Sequence, residues 1–246
     1  MVDELNIKLL FPIDTGVPRE ISRVLELLEG EPLAAPTHAS RDPQKRVPYD
    51  RTALLKSLAG RPISGLHLWR SKAPKFSNGH LSANDRTHNH IRADYAGAAL
   101  KETRIGELFA TWTRIAEATR TEFGFVHSLF MNDPTDQYNR GVRVPFKEIR
   151  DFGFRKLFAR TWFGPDLAAI IGPKRLLDLP NTRKTSWGGV ELDLVDQPWL
   201  ADFDTLFRRQ QELIEIFDSW GFMGNYDNVV QTLPGPSWTP RTWGLG

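Results

Sequence analysis

The eight residues HNHIRADY, His88 to Tyr95, hold the side chains best suited to chemistry. In an extended strand His88, His90, Arg92 and Asp94 point to one face, and Asn89, Ile91, Ala93 and Tyr95 to the other. Two imidazoles two residues apart can ligate one metal ion, and Asp94 or His80 can complete the shell, which would make a metal-dependent hydrolase. Metal boxes of this spacing need further His or Asp ligands at defined offsets, and none is found. A polar strand face turned to solvent or to a partner explains the same residues and is preferred.

A second set is acidic: Glu191, Asp193, Asp196, Asp202 and Asp204. Two of these carboxyls at a suitable separation would serve acid–base work of the glycosidase kind. Asp202 and Asp204 also lie where a helix dipole favours negative charge, the position of a cap. A patch complementary to a basic partner needs no tuned pKa, and is favoured over both. Upstream, Arg143, Lys147, Arg150, Arg155 and Arg160 form a basic run; it lacks any named nucleic-acid module, so an exposed face or an internal partner for the acidic segment is expected. His127 in FGFVHSLF adjoins Ser128 without a GxSxG turn, and adjacent strand residues face opposite ways, so it reads as a hydrogen-bonded core histidine. Asp133, Asp136 and Asn139 lack the glycine and distal glutamate of an EF-hand and read as a turn-forming loop.

The 32 basic and 30 acidic residues leave a formal charge of +2, which gives a nucleic-acid partner no support from the global field. At 246 residues, 40% hydrophobic, the chain can build one large domain, 1–246, or two tightly packed halves, about 1–130 and 131–246. Cysteine is absent, which removes disulfides, Cys-ligated zinc and thiol nucleophiles and leaves stability to packing. Eight Trp residues and an excess of Arg over Lys suit specific interfaces, or equally an aromatic core. The start, MVDELNIKLLFPID, has no cleavage site, and nowhere do 18 apolar residues occur together, so a cytoplasmic chain without a membrane partner is expected.

Several elements must position these groups. Leu5, Ile7, Leu9 and Phe11 alternate with polar residues as in a half-buried strand, and Pro18 opens a helix of Ile21, Val24, Leu25 and Leu28 that Gly30 stops. Four prolines between Glu31 and Tyr49 predict an irregular excursion. Strands are expected at Ile63 to Trp69 and His88 to Tyr95, with a polar loop between them, and an apolar stripe from Ile105 to Ala116 predicts a helix. Phe123 to Phe130, apolar on both faces, reads as an interior strand. After Thr161, an aromatic anchor precedes two short proline-started helical turns and a polar loop. Val190, Leu192 and Leu194 then give a strand with one dry and one acidic face. Phe203, Leu206, Phe207, Gln210, Leu213, Ile214 and Phe217 trace one face of a helix of about four turns. In the tail, Trp238 or Trp243 is expected to pin the chain to the body.

The motif W-x-G-P-x-L, followed by I-x-G, LLDLP and GGVELDLVDQPW, resembles the C-terminal half of bacterial immunity proteins paired with type VI secretion and polymorphic toxins. It is carried by Trp162, Gly164, Pro165, Leu167, Ile170, Gly172, Leu176, Leu177, Gly188, Gly189, Val190, Leu192, Asp196 and Pro198, within residues 161–233. The resemblance implies an α+β fold, a mostly antiparallel sheet packed with amphipathic helices. It implies no catalytic residue, cofactor or metal, and a non-enzymatic antidote that occludes the active site of a cognate toxin. Its motif residues read as structural glycines, prolines and buried leucines. The expected partner-binding residues are therefore taken from the charge pattern: Glu191, Asp193, Asp196, Asp202 and Asp204, with His88, His90 and Arg92 second.

Overall fold

The computed structural model describes residues 2–12, 17–58, 65–82, 89–96, 100, 102–134, 137–139 and 153–224. The fold is α+β. Among the described residues ten strands form one sheet: β1 (Glu4–Phe11), β2 (His38–Ser40), β3 (Val47–Pro48), β4 (Gly65–Arg70), β5 (Phe76–Ser82), β6 (Asn89–Ala96), β7 (Phe123–Leu129), β8 (Arg160–Phe163), β9 (Thr182–Lys184) and β10 (Val190–Asp193). Their order is β3-β2-β4-β5-β6-β1-β7-β8-β10-β9, and every neighbouring pair is antiparallel. Among the described residues six helices accompany them: α1 (Pro18–Glu29), α2 (Arg51–Leu58), α3 (Glu102–Ala118), α4 (Pro165–Ile171), α5 (Pro173–Leu177) and α6 (Phe203–Ser219).

The alternation in β1 predicts one wet face, yet Leu5 to Phe11 are all buried, Asn6 and Lys8 included. β1 is the middle of the sheet, flanked by β6 and β7, and the sheet is covered on both sides. On one side α3 lays Phe109, Trp112, Ile115 and Ala116 into the core, and the Trp112 indole donates to the Tyr95 hydroxyl of β6 at 3.3 Å. On the other side α6 brings Phe217 to 5.8 Å from Phe163 of β8 and 6.0 Å from Phe154. β7 is interior, as its two apolar faces require.

Three stretches depart from the sequence reading. The Pro-rich segment contributes β2 and β3 at the sheet edge, where Pro48 lacks only a donor that an edge can spare. The polar loop expected before His88 contains β5, held by backbone pairing to β4 and β6 on either side with register shifts in both ladders. The polar loop before Trp187 contains β9, the opposite edge.

Candidate functional site

Glu191 and Asp193 were expected on an exposed acidic strand face, and the structure turns that face inward: they are 2% and 1% exposed. The register explains it. Arg160 stands opposite Asp193, and Trp162 and Arg183 stand on either side of Glu191, all on the face that α3 covers. Arg160 donates Nε to Asp193 Oδ1 and Nη2 to Asp193 Oδ2, both at 2.7 Å, approaches Glu191 Oε1 at 2.8 Å, and gives Nη1 to Thr113 of α3 at 2.8 Å. Its guanidinium lies over the Phe109 and Trp199 rings, 5.2 and 5.9 Å from their centroids. Trp162 Nε1 donates to Glu191 Oε2 at 2.7 Å, and Arg183 reaches Glu191 from the rim with its side chain 54% exposed.

Two arginines and two carboxylates close this cluster with no net charge. Burial raises the Glu191 carboxyl above its ordinary value; Arg160, Arg183 and the Trp162 N–H oppose the rise, and Asp193 adds to it. Burial works to lower the Arg160 pKa, but the Asp193 hydrogen bond and both carboxylate charges outweigh it and raise the value. Arg160 is thus the internal partner anticipated for the acidic segment. Arg143, Lys147 and Arg150 lie outside the described residues.

On β6, Asp94 accepts from Arg92, with Nη2 2.7 Å from Oδ2, and from the Asn6 amide of β1. His90 and Asp94 are four residues apart, roughly 13 Å at 3.3 Å per residue, and Arg92 stands between them on the same face. These two metal candidates therefore do not converge. His88 lies outside the described residues, and among the described residues no group of three His, Asp or Glu could hold a metal ion.

His127 is buried against Tyr138, Phe158 and Lys156. Nε2 lies 3.0 Å from the Tyr138 carbonyl oxygen, and Nδ1 accepts from Ala159 N–H at 3.4 Å, which assigns the neutral Nε2–H tautomer. Burial first, then the Lys156 charge, hold its pKa well below 6.5. Asn139 exchanges side-chain hydrogen bonds with both backbone groups of Phe130, and its N–H donates to Asp133 at 3.0 Å, the turn anticipated there. Asp136, Trp238 and Trp243 lie outside the described residues.

The remaining acidic residues, Asp196, Asp202 and Asp204, are exposed. Asp202 caps α6 by accepting Thr205 N–H at 2.8 Å, and this hydrogen bonding lowers its pKa. Asp202 and Asp204 also line a cleft of about 330 Å³ with Phe130, Asn132, Pro134 and Phe203, where the loop after β7 meets the start of α6. The cleft's apolar members carry no signal of a shared site in the sequence. Phe203 registered only as part of a helical stripe, and Phe130 as the end of a strand.

The resemblance motif is spent on the scaffold. Gly188 has φ +94°, and a Cβ on Gly189 would run into the Phe163 carbonyl oxygen of β8. A Cβ on Gly164 would stand 2.6 Å from Glu122 Cα. Trp162, Leu167, Leu176, Val190 and Leu192 are buried, whereas Ile170 and Leu177 are exposed, contrary to expectation.

No protein-family model and no curated protein matches the sequence. Among solved structures the chain is similar in fold to the Pseudomonas aeruginosa T6SS protein PA0821, with a TM-score of 0.54 and 13% identity over 94% of this chain and 80% of that one. Among the described residues no helix is long and apolar enough to cross a membrane.

Proposed function

We propose that this chain is an immunity protein, a non-catalytic antidote that binds a cognate secreted toxin and occludes its active site. The observation that carries the reading is the fold it shares along nearly its whole length with a T6SS protein, on a chain whose last third resembles immunity proteins of type VI secretion and polymorphic toxins.

The way this sequence uses its residues supports the reading. The motif glycines, Trp162 and the buried charges of β8 and β10 stabilise a rigid frame, so the frame does not depend on what the surface carries. Recognition is then free to reside in exposed side chains. Nanomolar capture of a toxin requires about 12 kcal/mol and typically ~800 Å² from each partner.

Co-expression with the toxin encoded by the neighbouring gene tests the proposal. Protected growth and a complex that co-elutes are expected. Killing at the same inducer level, with no complex, contradicts it.

A further inference from the structure

Resting on that reading, we infer that the toxin docks on the cleft between the loop after β7 and the N-terminal turn of α6, and that the docking element is a basic surface carrying one large apolar side chain.

The cleft sets aromatic rings and a proline beside polar and acidic side chains. Phe130, Pro134 and Phe203 line it together with Asn132, Asp202 and Asp204, and its volume of about 330 Å³ is enough to receive one large side chain. The aromatic wall is braced: Phe203 stacks on Phe207 at 5.6 Å, and Tyr138 packs edge-on or tilted against Phe203 and Phe130, each at 5.7 Å. A braced wall loses little entropy when a partner side chain is seated on it.

Exposed apolar side chains adjoin the lining residues in sequence. Met131, next in sequence to Phe130, is 90% exposed, and Leu200, two residues before Asp202, is 56% exposed. Large apolar side chains left in water beside an open cleft mark an interaction surface, and an unbranched Met adapts to an irregular partner.

Charge complementarity identifies the occupant. Asp202 and Asp204 line the cleft and are exposed, Asp196 is exposed in the segment that leads to Asp202, and among the described residues Asp196 and Asp204 have no ion-pair partner. Arg208, one turn beyond Asp204, is ion-paired with Glu212, and its charge also acts on Asp202. The lining thus carries two carboxylates beside aromatic rings, which steers a cationic face towards it and favours an apolar anchor against the rings. A second copy of this chain would bring the same two lining carboxylates, like charge against like.

The test measures association and dissociation of the purified toxin from the neighbouring gene with three proteins: the parent chain, Asp196→Lys/Asp204→Lys, and Met131→Glu. None of these side chains is tied into the core, and Asp202 is left in place because it caps α6. The charge-reversed protein is expected to associate at least about tenfold more slowly at low salt and to lose most of the salt dependence of the rate. Met131→Glu is expected to dissociate at least about tenfold faster. Parent-like rates in both variants, with a parent that binds, overturn this surface and leave the immunity reading standing. A parent that does not bind overturns both. A dimer of the parent that Met131→Glu splits, with toxin binding unchanged, assigns the cleft to a second copy and overturns the proposal.

Discussion

Arg160 of β8 and Asp193 of β10 stand directly opposite one another in antiparallel register and share two hydrogen bonds of 2.7 Å, Nε to Oδ1 and Nη2 to Oδ2. Both are buried, so removing Asp193 takes the bidentate partner from Arg160 and leaves the cluster, with Glu191 still beside it, one negative charge short. Asp193→Leu is expected to cost about 3–5 kcal/mol in urea denaturation, while Arg160→Met/Asp193→Leu together recover a large part of that loss. Asp204→Asn, on the rim of the cleft, is expected to leave the denaturation midpoint unchanged.

Trp162 acts on the same cluster through its N–H. Trp162→Phe keeps most of the ring packing but leaves Glu191 Oε2 without its donor, at an expected cost of about 1–3 kcal/mol. Because Glu191 has a raised folded-state pKa, its contribution to stability is present in acid and is lost as pH rises through that raised value. Glu191→Gln is therefore expected to flatten stability against pH on the alkaline side of the ordinary glutamate range, read from thermal midpoints across pH 4–8.

His127 works in the opposite direction. Its folded pKa lies well below 6.5, so its contribution is present above that value and is lost as pH falls. Protonation at Nδ1 would set a new N–H against the Ala159 N–H. His127→Gln, which can still donate to the Tyr138 carbonyl, is expected to remove a slope of up to about 1.4 kcal/mol per pH unit below pH 6.5. An unaltered slope in the variant would assign the acid sensitivity elsewhere.

Gly189 tests the frame itself. Its missing Cβ lets β10 run against the Phe163 carbonyl, and Ala at this position must push β8 and β10 apart. Gly189→Ala is expected to destabilise by more than the ~1 kcal/mol typical of a surface change, and by more than Gly221→Ala, where no atom lies within 4 Å of the added Cβ and only the positive φ opposes the change.

The long periodic elements were legible in the sequence. α1, α3 and α6 each carry a helical stripe, β7 is legible from its short length and its two apolar faces, and Pro165 and Pro173 each open the short helix expected of them. β5 was not legible, because FSNGHLS has no apolar alternation and is held by its neighbours' backbones. β2 and β3 are too short to show a period. The main error at the candidate site concerned Glu191 and Asp193. Alternation with Val190 and Leu192 looks the same for a solvated face and for a buried ionic one. The difference lies in Arg160, about thirty residues away and brought opposite Asp193 only by β8–β10 pairing. Asp202 was legible as a cap because capping is local. The cleft above it was not, since Phe130 and Phe203 meet only in the folded chain.

Titrating the toxin's activity with purified protein tests the central claim most directly. A stoichiometric antidote is expected to lower that activity linearly to an end point at a fixed molar ratio, with no further loss on longer incubation. Progressive inactivation by substoichiometric amounts, or full toxin activity in the presence of a large excess, would contradict it.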